Sequence, residues 1–286
     1  MNVVARYRTG LGLGGDIQTG QLSVLLERPV GLRAVTNPSP ADGGADAEPR
    51  NNARNNAPTT VRTFGRAVSL ADFEWLATSS GFVARAYVTW VWHALQRAVH
   101  LTVAGPNGRA LSSAAMDPLY TALTAARDPN HRLFLANLVR VPVVVGARLL
   151  RDPAFAADTG LANASAALLD AFSFTTMPFG TAVHASHVMA VLQSARGVAA
   201  VALDLLQLKG FASLSATERA VRAVTADPVQ DHIRVFPARP CPADTSLIDR
   251  YARAGFTGSP PPVLAAEQAF IQNPATDLGL VVVEAL

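Results

Sequence analysis

The chain has 286 residues, half of them hydrophobic and 16% charged, with a net charge of +3. That apolar content is enough for a real core and excludes disorder along the whole length. The pI near 9.5 reflects a small surplus of arginine, because Lys209 is the only lysine among 24 basic residues, and no basic run forms the stripe that nucleic-acid binding requires.

Cys241 stands alone, which rules out an intramolecular disulfide or a cysteine metal cluster in this sequence. There is no charged-then-apolar leader, and no apolar run approaches the roughly 20 residues that span a bilayer. The expectation is a soluble protein made in the cytoplasm, with no membrane insertion and no nucleic-acid partner.

Two strands are expected at residues 2–8 and 21–27, where N-V-V-A-R-Y-R alternates and Q-L-S-V-L-L-E is apolar and β-compatible. Between them, Gly10, Gly12 and Gly15 formally satisfy G-x-G-x-x-G. A dinucleotide site would need a helix at once, and D-I-Q-T-G follows instead, so this stretch reads as a turn. Residues 37–66 form a polar loop with Pro38, Pro40, Pro49 and Gly43-Gly44. Asp42, Asp46 and Glu48 lack the spacing of a calcium loop and read as turn or capping carboxylates. A helix over 69–78 then has a written start: Ser69 as cap, Asp72 three residues on, and Leu70, Phe73, Leu76 and Ala77 on one face.

A strand follows, A-R-A-Y-V-T-W-V-W, with Ala86, Val88, Trp90 and Trp92 on one side and Arg85, Tyr87, Thr89 and Val91 on the other. Trp90 and Trp92 read as core, with a subunit anchor as the alternative. A second strand, His100 to Ala104, ends at the turn signal Gly105-Pro106-Asn107-Gly108. Asp117-Pro118 is expected to open a helix that Asp128-Pro129 stops. Leu138 to Leu150 reads as a strand that Pro142 places at an edge or a strand start. Two helices follow, over 161–172 and up to Arg196, separated by a rigid turn at 177–184, with Gly197 as the second one's stop. V-A-A-V-A-L-D-L-L closes the unit as a strand. Residues 211–286 are proline-rich, with short strands expected at Ile233–Phe236 and Leu280–Glu284, and 263–271 left between strand and helix.

These elements imply an α+β protein: a β-rich N-terminal strand pair (1–36), a loop (37–66), a small helix-on-sheet sandwich domain (67–210) and a loop-rich C-terminal β segment (211–286). Catalytic chemistry is not visible. Of the six histidines only His184 and His187 are close, and neither a carboxylate nor a cysteine nearby supplies a further metal ligand. No G-x-S-x-G elbow or Walker loop is present. We therefore expect no catalytic residue, cofactor or metal. A nucleotide-dependent enzyme using the Gly10–Gly15 turn, or a ligand- or glycan-binding tail module, stands as the alternative.

Three groups of residues stand out in order along the chain. The first is Y-R-T-G-L-G-L-G-G-D-I-Q-T-G-Q-L over 7–22, led by Tyr7, Gly10, Gly12 and Gly15. The second is Asn37-Pro38, Gly43-Gly44, Asp46 and Glu48, followed by Arg66-Ala67-Val68 and Asp72-Phe73. The third is Pro178-Phe179-Gly180, ahead of a helix and Gly197-Val198. Together these groups resemble the J-like baseplate assembly proteins of contractile phage tails and related injection systems, and the resemblance implies a non-catalytic wedge subunit in a ring around a central spike hub. It also implies contacts to other wedge subunits, either copies of itself or a related paralogue, and to a small lysozyme-like wedge protein. Family members usually carry a substantial region before the Y-R-x-G stretch, which here starts at Tyr7.

Overall fold

The computed structural model describes residues 10–27, 29–41, 46–47, 50, 54, 65–256 and 258–284. The strand expected at 2–8, most of the polar loop, and Tyr7, Gly43, Gly44 and Glu48 lie outside the described residues. The chain divides into two compact units, residues 1–88 with 103–131, and residues 89–102 with 132–286. Helices and strands are mixed without a barrel, which makes the fold α+β, as its sequence implies.

The first unit is organised by α1 (Leu70–Thr78) and α2 (Ser113–Ala126), which pack on each other. Helix α1 starts where its cap predicts. Asp72 N–H donates to Ser69 Oγ at 3.3 Å, and Asp72 Oδ2 accepts from Ser69 N–H at 2.7 Å and Val68 N–H at 3.2 Å. Three backbone donors at the helix entry are thus satisfied, with Phe73 and Ala77 buried behind them. Asp72→Ala is expected to lower stability by about 1–2 kcal/mol in urea unfolding, with Asp72→Asn recovering part of the loss.

Helix α2 begins five residues ahead of the start expected at the Asp117 cap. Ser112 is the cap, its Oγ accepting from Ala115 N–H, and Pro118 lies inside the helix. The Ser-Ala-Ala-Met run after Ser112 nucleates the helix early enough for the proline to cost only the bond to the Ala114 carbonyl. Residues 21–27 are not a strand. β-compatible side chains form one only when a neighbouring strand takes up their backbone groups, and Leu22 N–H instead donates to the Asn37 side chain.

The second unit holds most of the sheet structure. Strands β1 (Arg85–His93), β2 (Gln96–Ala104) and β3 (Arg132–Asn137) lie in the order β1-β2-β3, and β3 falls ahead of the strand expected from Leu138, where the sequence reading places no strand. A four-stranded sheet is built on β4 (Val139–Arg151). Strand β6 (Val198–Leu208) pairs with it antiparallel from Val143 to Arg151. Strands β10 (Glu267–Phe270) and β11 (Leu278–Val283) pair with it parallel, in succession.

β4 is therefore a central strand and not an edge. Pro142 is tolerated because it lies one residue before Val143, where the β6 pairing begins, so its missing donor falls at the end of that ladder, while its carbonyl still accepts Lys209 N–H at 2.9 Å. Alternate residues Val141, Val143, Val145, Ala147 and Leu149 are buried against α3 (Ala157–Ala171) and α4 (Ala185–Gln193). Leu168, Leu192, Leu206 and Leu208 complete this layer at 1% exposure or less. Burying each contributes about 1.5–3 kcal/mol.

The C-terminal part is less regular. Strand β5 (Val183–His184) pairs with β7 (His232–Ile233), which is shorter than the Ile233–Phe236 run expected, and β8 (Arg239–Pro240) pairs with β9 (Val263–Leu264). Helices α5 (Ala216–Arg222), α6 (Arg250–Arg253) and α7 (Pro274–Asp277) are short, and each starts at a polar cap: Ser215, Asp249 and Asn273.

Candidate functional site

The glycine-rich stretch and the start of the loop meet at one residue. Asn37 Nδ2 donates to the carbonyls of Gln18 at 3.0 Å and Ser39 at 2.8 Å, while its Oδ1 accepts from Leu22 N–H. Gly20 N–H donates to the Asn37 carbonyl, and Ala41 N–H to that of Ile17. Asn37 thus staples 17–22 to 37–41, which brings the first two motif groups together. Pro38 follows the staple, exposed, and Asp46 and Arg66 are exposed as well.

Gly12 to Gly15 make one 3₁₀ turn, with Gly12 at φ +62°, followed by 16–18 without regular structure and a turn at 19–20. No helix N-terminus stands there to receive a pyrophosphate. Gly10 and Gly15 are exposed.

The Pro178-Phe179-Gly180 turn sits on a buried ionic cluster that sequence did not reveal. Arg222 is fully buried. Its Nη1 donates to Glu267 Oε2 at 2.5 Å and to the Arg234 carbonyl at 3.0 Å. Its Nη2 donates to Glu267 Oε1 and Asp249 Oδ1, each at 2.9 Å, and its Nε lies 2.7 Å from Asp249 Oδ2. Burial alone would lower the arginine's pKa, but the two carboxylates outweigh it and hold the guanidinium charged.

Each carboxylate then ties in backbone. Asp249 Oδ1 caps α6 through Tyr251 and Ala252 N–H, and Glu267 Oε2 accepts from Phe236 N–H at 3.0 Å. The rings of Phe236 and Tyr251 lie 5.0 and 5.3 Å from the Arg222 guanidinium. Gly180 N–H donates to the Glu267 carbonyl at 2.7 Å, so the third motif is fastened to the same strand. Phe179 is buried and Pro178 exposed.

Another buried titratable group lies on β2. His100 is fully buried, its Nδ1 3.3 Å from Thr102 Oγ1, which accepts Ala266 N–H at 2.9 Å. Desolvation pushes its pKa down to about 4, so the ring is neutral at pH 7. Because the folded value lies below the ordinary 6.5, this contribution to stability is complete above pH 6.5 and fades as pH falls towards 4. The expected loss is about 3 kcal/mol over that range, read as a drop in urea midpoint. A His100→Gln variant should flatten the slope between pH 6.5 and 5.

The histidine pair of the sequence reading is rearranged. His184 stacks on His232 across the β5–β7 pair, with ring centroids 5.9 Å apart. His187 instead faces a groove of about 510 Å³ between α3, α4 and the 176–178 turn. No group of three metal-binding side chains occurs among the described residues. The tryptophans also part company with their core reading. Trp92 is 64% exposed, and Trp90 is half-buried under the Arg97 guanidinium at 4.4 Å. Val88 on the tryptophan face and Val91 on the opposite one are the buried residues of β1. Among the described residues no helix is long and apolar enough to cross a membrane.

A capped two-helix unit and a helix-covered sheet define the class of fold, an α+β protein. Residues 65–136 match the baseplate J-like central domain. Over that segment the chain is similar to the baseplate J-like central domain, and of the motif residues named above Arg66-Ala67-Val68 and Asp72-Phe73 lie inside it.

Among solved structures, the chain is similar to a chain in the cryo-EM structure of the anti-feeding prophage baseplate, six-fold symmetrised, with a TM-score of 0.45 and 18% identity. The likeness covers 72% of this chain and 48% of that one, so this chain spans about half the length of the solved chain it matches. No curated protein matches.

Proposed function

We propose that this protein is a structural subunit of the baseplate of a contractile tail or injection particle, placed in the wedge ring around the central spike hub. The observation that carries this is the baseplate J-like central domain over residues 65–136. The ordered motifs on either side of that segment, stapled by Asn37 and anchored at Gly180, support it. The partners would be further wedge subunits, copies of this chain or a related paralogue, together with a small lysozyme-like wedge protein and the hub. Rigid modules with shaped loops suit contacts that close a ring. The protein would be made in the cytoplasm, assembled there into the particle, and would act without catalysis.

Affinity purification of the tagged full chain from producing cells tests this. Tail and baseplate proteins should co-purify at salt concentrations that remove loosely bound proteins. Recovery of the chain solely as a free monomer would refute the reading.

A further inference from the structure

The tip of the β1–β2 hairpin has an unusual turn. Ala94 (φ +47°) and Leu95 (φ +65°) both occupy the left-handed region. Two-residue hairpins of that type favour Asn-Gly, because L side chains are strained there. The strain presents an apolar side chain to solvent: Leu95 is 97% exposed, with Trp92 64% exposed nearby in sequence. Single exposed apolar residues are ordinary, but a leucine held outward in a disfavoured conformation, close to an exposed tryptophan, points to a contact. Arg97, exposed at the start of β2, adds a positive charge to the tip.

The complementary surface is the groove between α3 and α4. Ala167, Ala171, Met177 and Val191 give it an apolar wall, and Asp170 and His187 stand among its lining. Asp170 is exposed and acidic, opposite in sign to Arg97. Knob and socket thus belong to the same sequence and match in polarity and charge. A patch that fits a different patch of its own kind makes a head-to-tail contact, which closes into a ring when the rotation allows.

We infer that Leu95 and Trp92 of one copy insert into the α3–α4 groove of the next copy, with Arg97 paired to Asp170. This deepens the assembly reading above and rests on it.

Two full-length variants in a Cys241→Ser background, Leu95→Cys and Thr176→Cys, are mixed at high concentration and oxidised. A disulfide-linked heterodimer should form from the mixture and not from either variant alone. Separately, Asp170→Arg should weaken self-association at least tenfold by analytical ultracentrifugation. Combining it with Arg97→Asp should restore most of the loss, while circular dichroism stays unchanged. Absence of the heterodimer, or a charge swap that restores nothing, overturns the inference. If the chain still co-purifies with tail proteins in that case, the baseplate reading survives and only this contact fails.

Discussion

Arg222→Ala is expected to cost about 3–5 kcal/mol, the largest single loss in the molecule. The substitution leaves the carboxylates of Glu267 and Asp249 buried without their cation, at 1% exposure each. Those carboxylates also hold the Phe236 backbone and the α6 cap, so both anchorages should loosen together. Urea unfolding followed by fluorescence would read the loss as a lower midpoint with an unchanged slope. A triple variant, Arg222→Met with Glu267→Leu and Asp249→Asn, should recover much of it, because an apolar replacement removes the unpaired charges while Asn keeps the cap. A loss below 1 kcal/mol for Arg222→Ala would mean that water reaches the cluster.

Gly180→Ala should be the second most damaging change, at roughly 2–5 kcal/mol. Gly180 has φ +68°, and a Cβ built there would lie 2.7 Å from Pro237 Cα and 2.9 Å from Pro237 N. Both obstacles are backbone, so neither can swing aside. The turn also donates its N–H to the Glu267 carbonyl, and any displacement weakens that bond. In a thermal scan the midpoint should fall by on the order of 10 °C. Gly14→Ala is the control: a Cβ there meets nothing within 4 Å, and its effect should stay within about 0.5 kcal/mol.

Much of the local structure could be read from the residues themselves. Ser69 and Asp72 wrote the start of α1 in four letters, and the capping box forms as spelled. The alternating valines of β4 predicted a strand, and those residues are the ones buried under the helices. Such signals are local, carried by spacing within one element. What escaped was set by distant partners. Nothing around Pro142 tells that β6 joins β4 one residue later, and the parallel strands β10 and β11 come from the far end of the chain. Trp92 lies on a face that sequence alternation assigned to the core, yet it is exposed while Val88 of that face and Val91 of the other are buried, because tertiary neighbours decide which positions of a strand are covered.

The site divides in the same way. The glycine, Asn37-Pro38 and Pro178-Phe179-Gly180 motifs were visible as residues in order. Their meaning in contacts was not, since Asn37 reaches back to Gln18 and Gly180 reaches forward to Glu267. The Arg222 cluster had one faint signal, Glu267 within the apolar run around β10, but its cation lies 45 residues away in sequence. The Ala94-Leu95 turn had none, because neither residue type announces a left-handed conformation.

Quantitative mass spectrometry of purified, intact contractile particles from producing cells tests the central claim most directly. If the chain is a baseplate wedge subunit, its peptides should be present at a fixed whole-number ratio to the other baseplate ring proteins and should stay with the baseplate when sheath and tube are stripped away. Particles that are complete and contain no trace of the chain would contradict it.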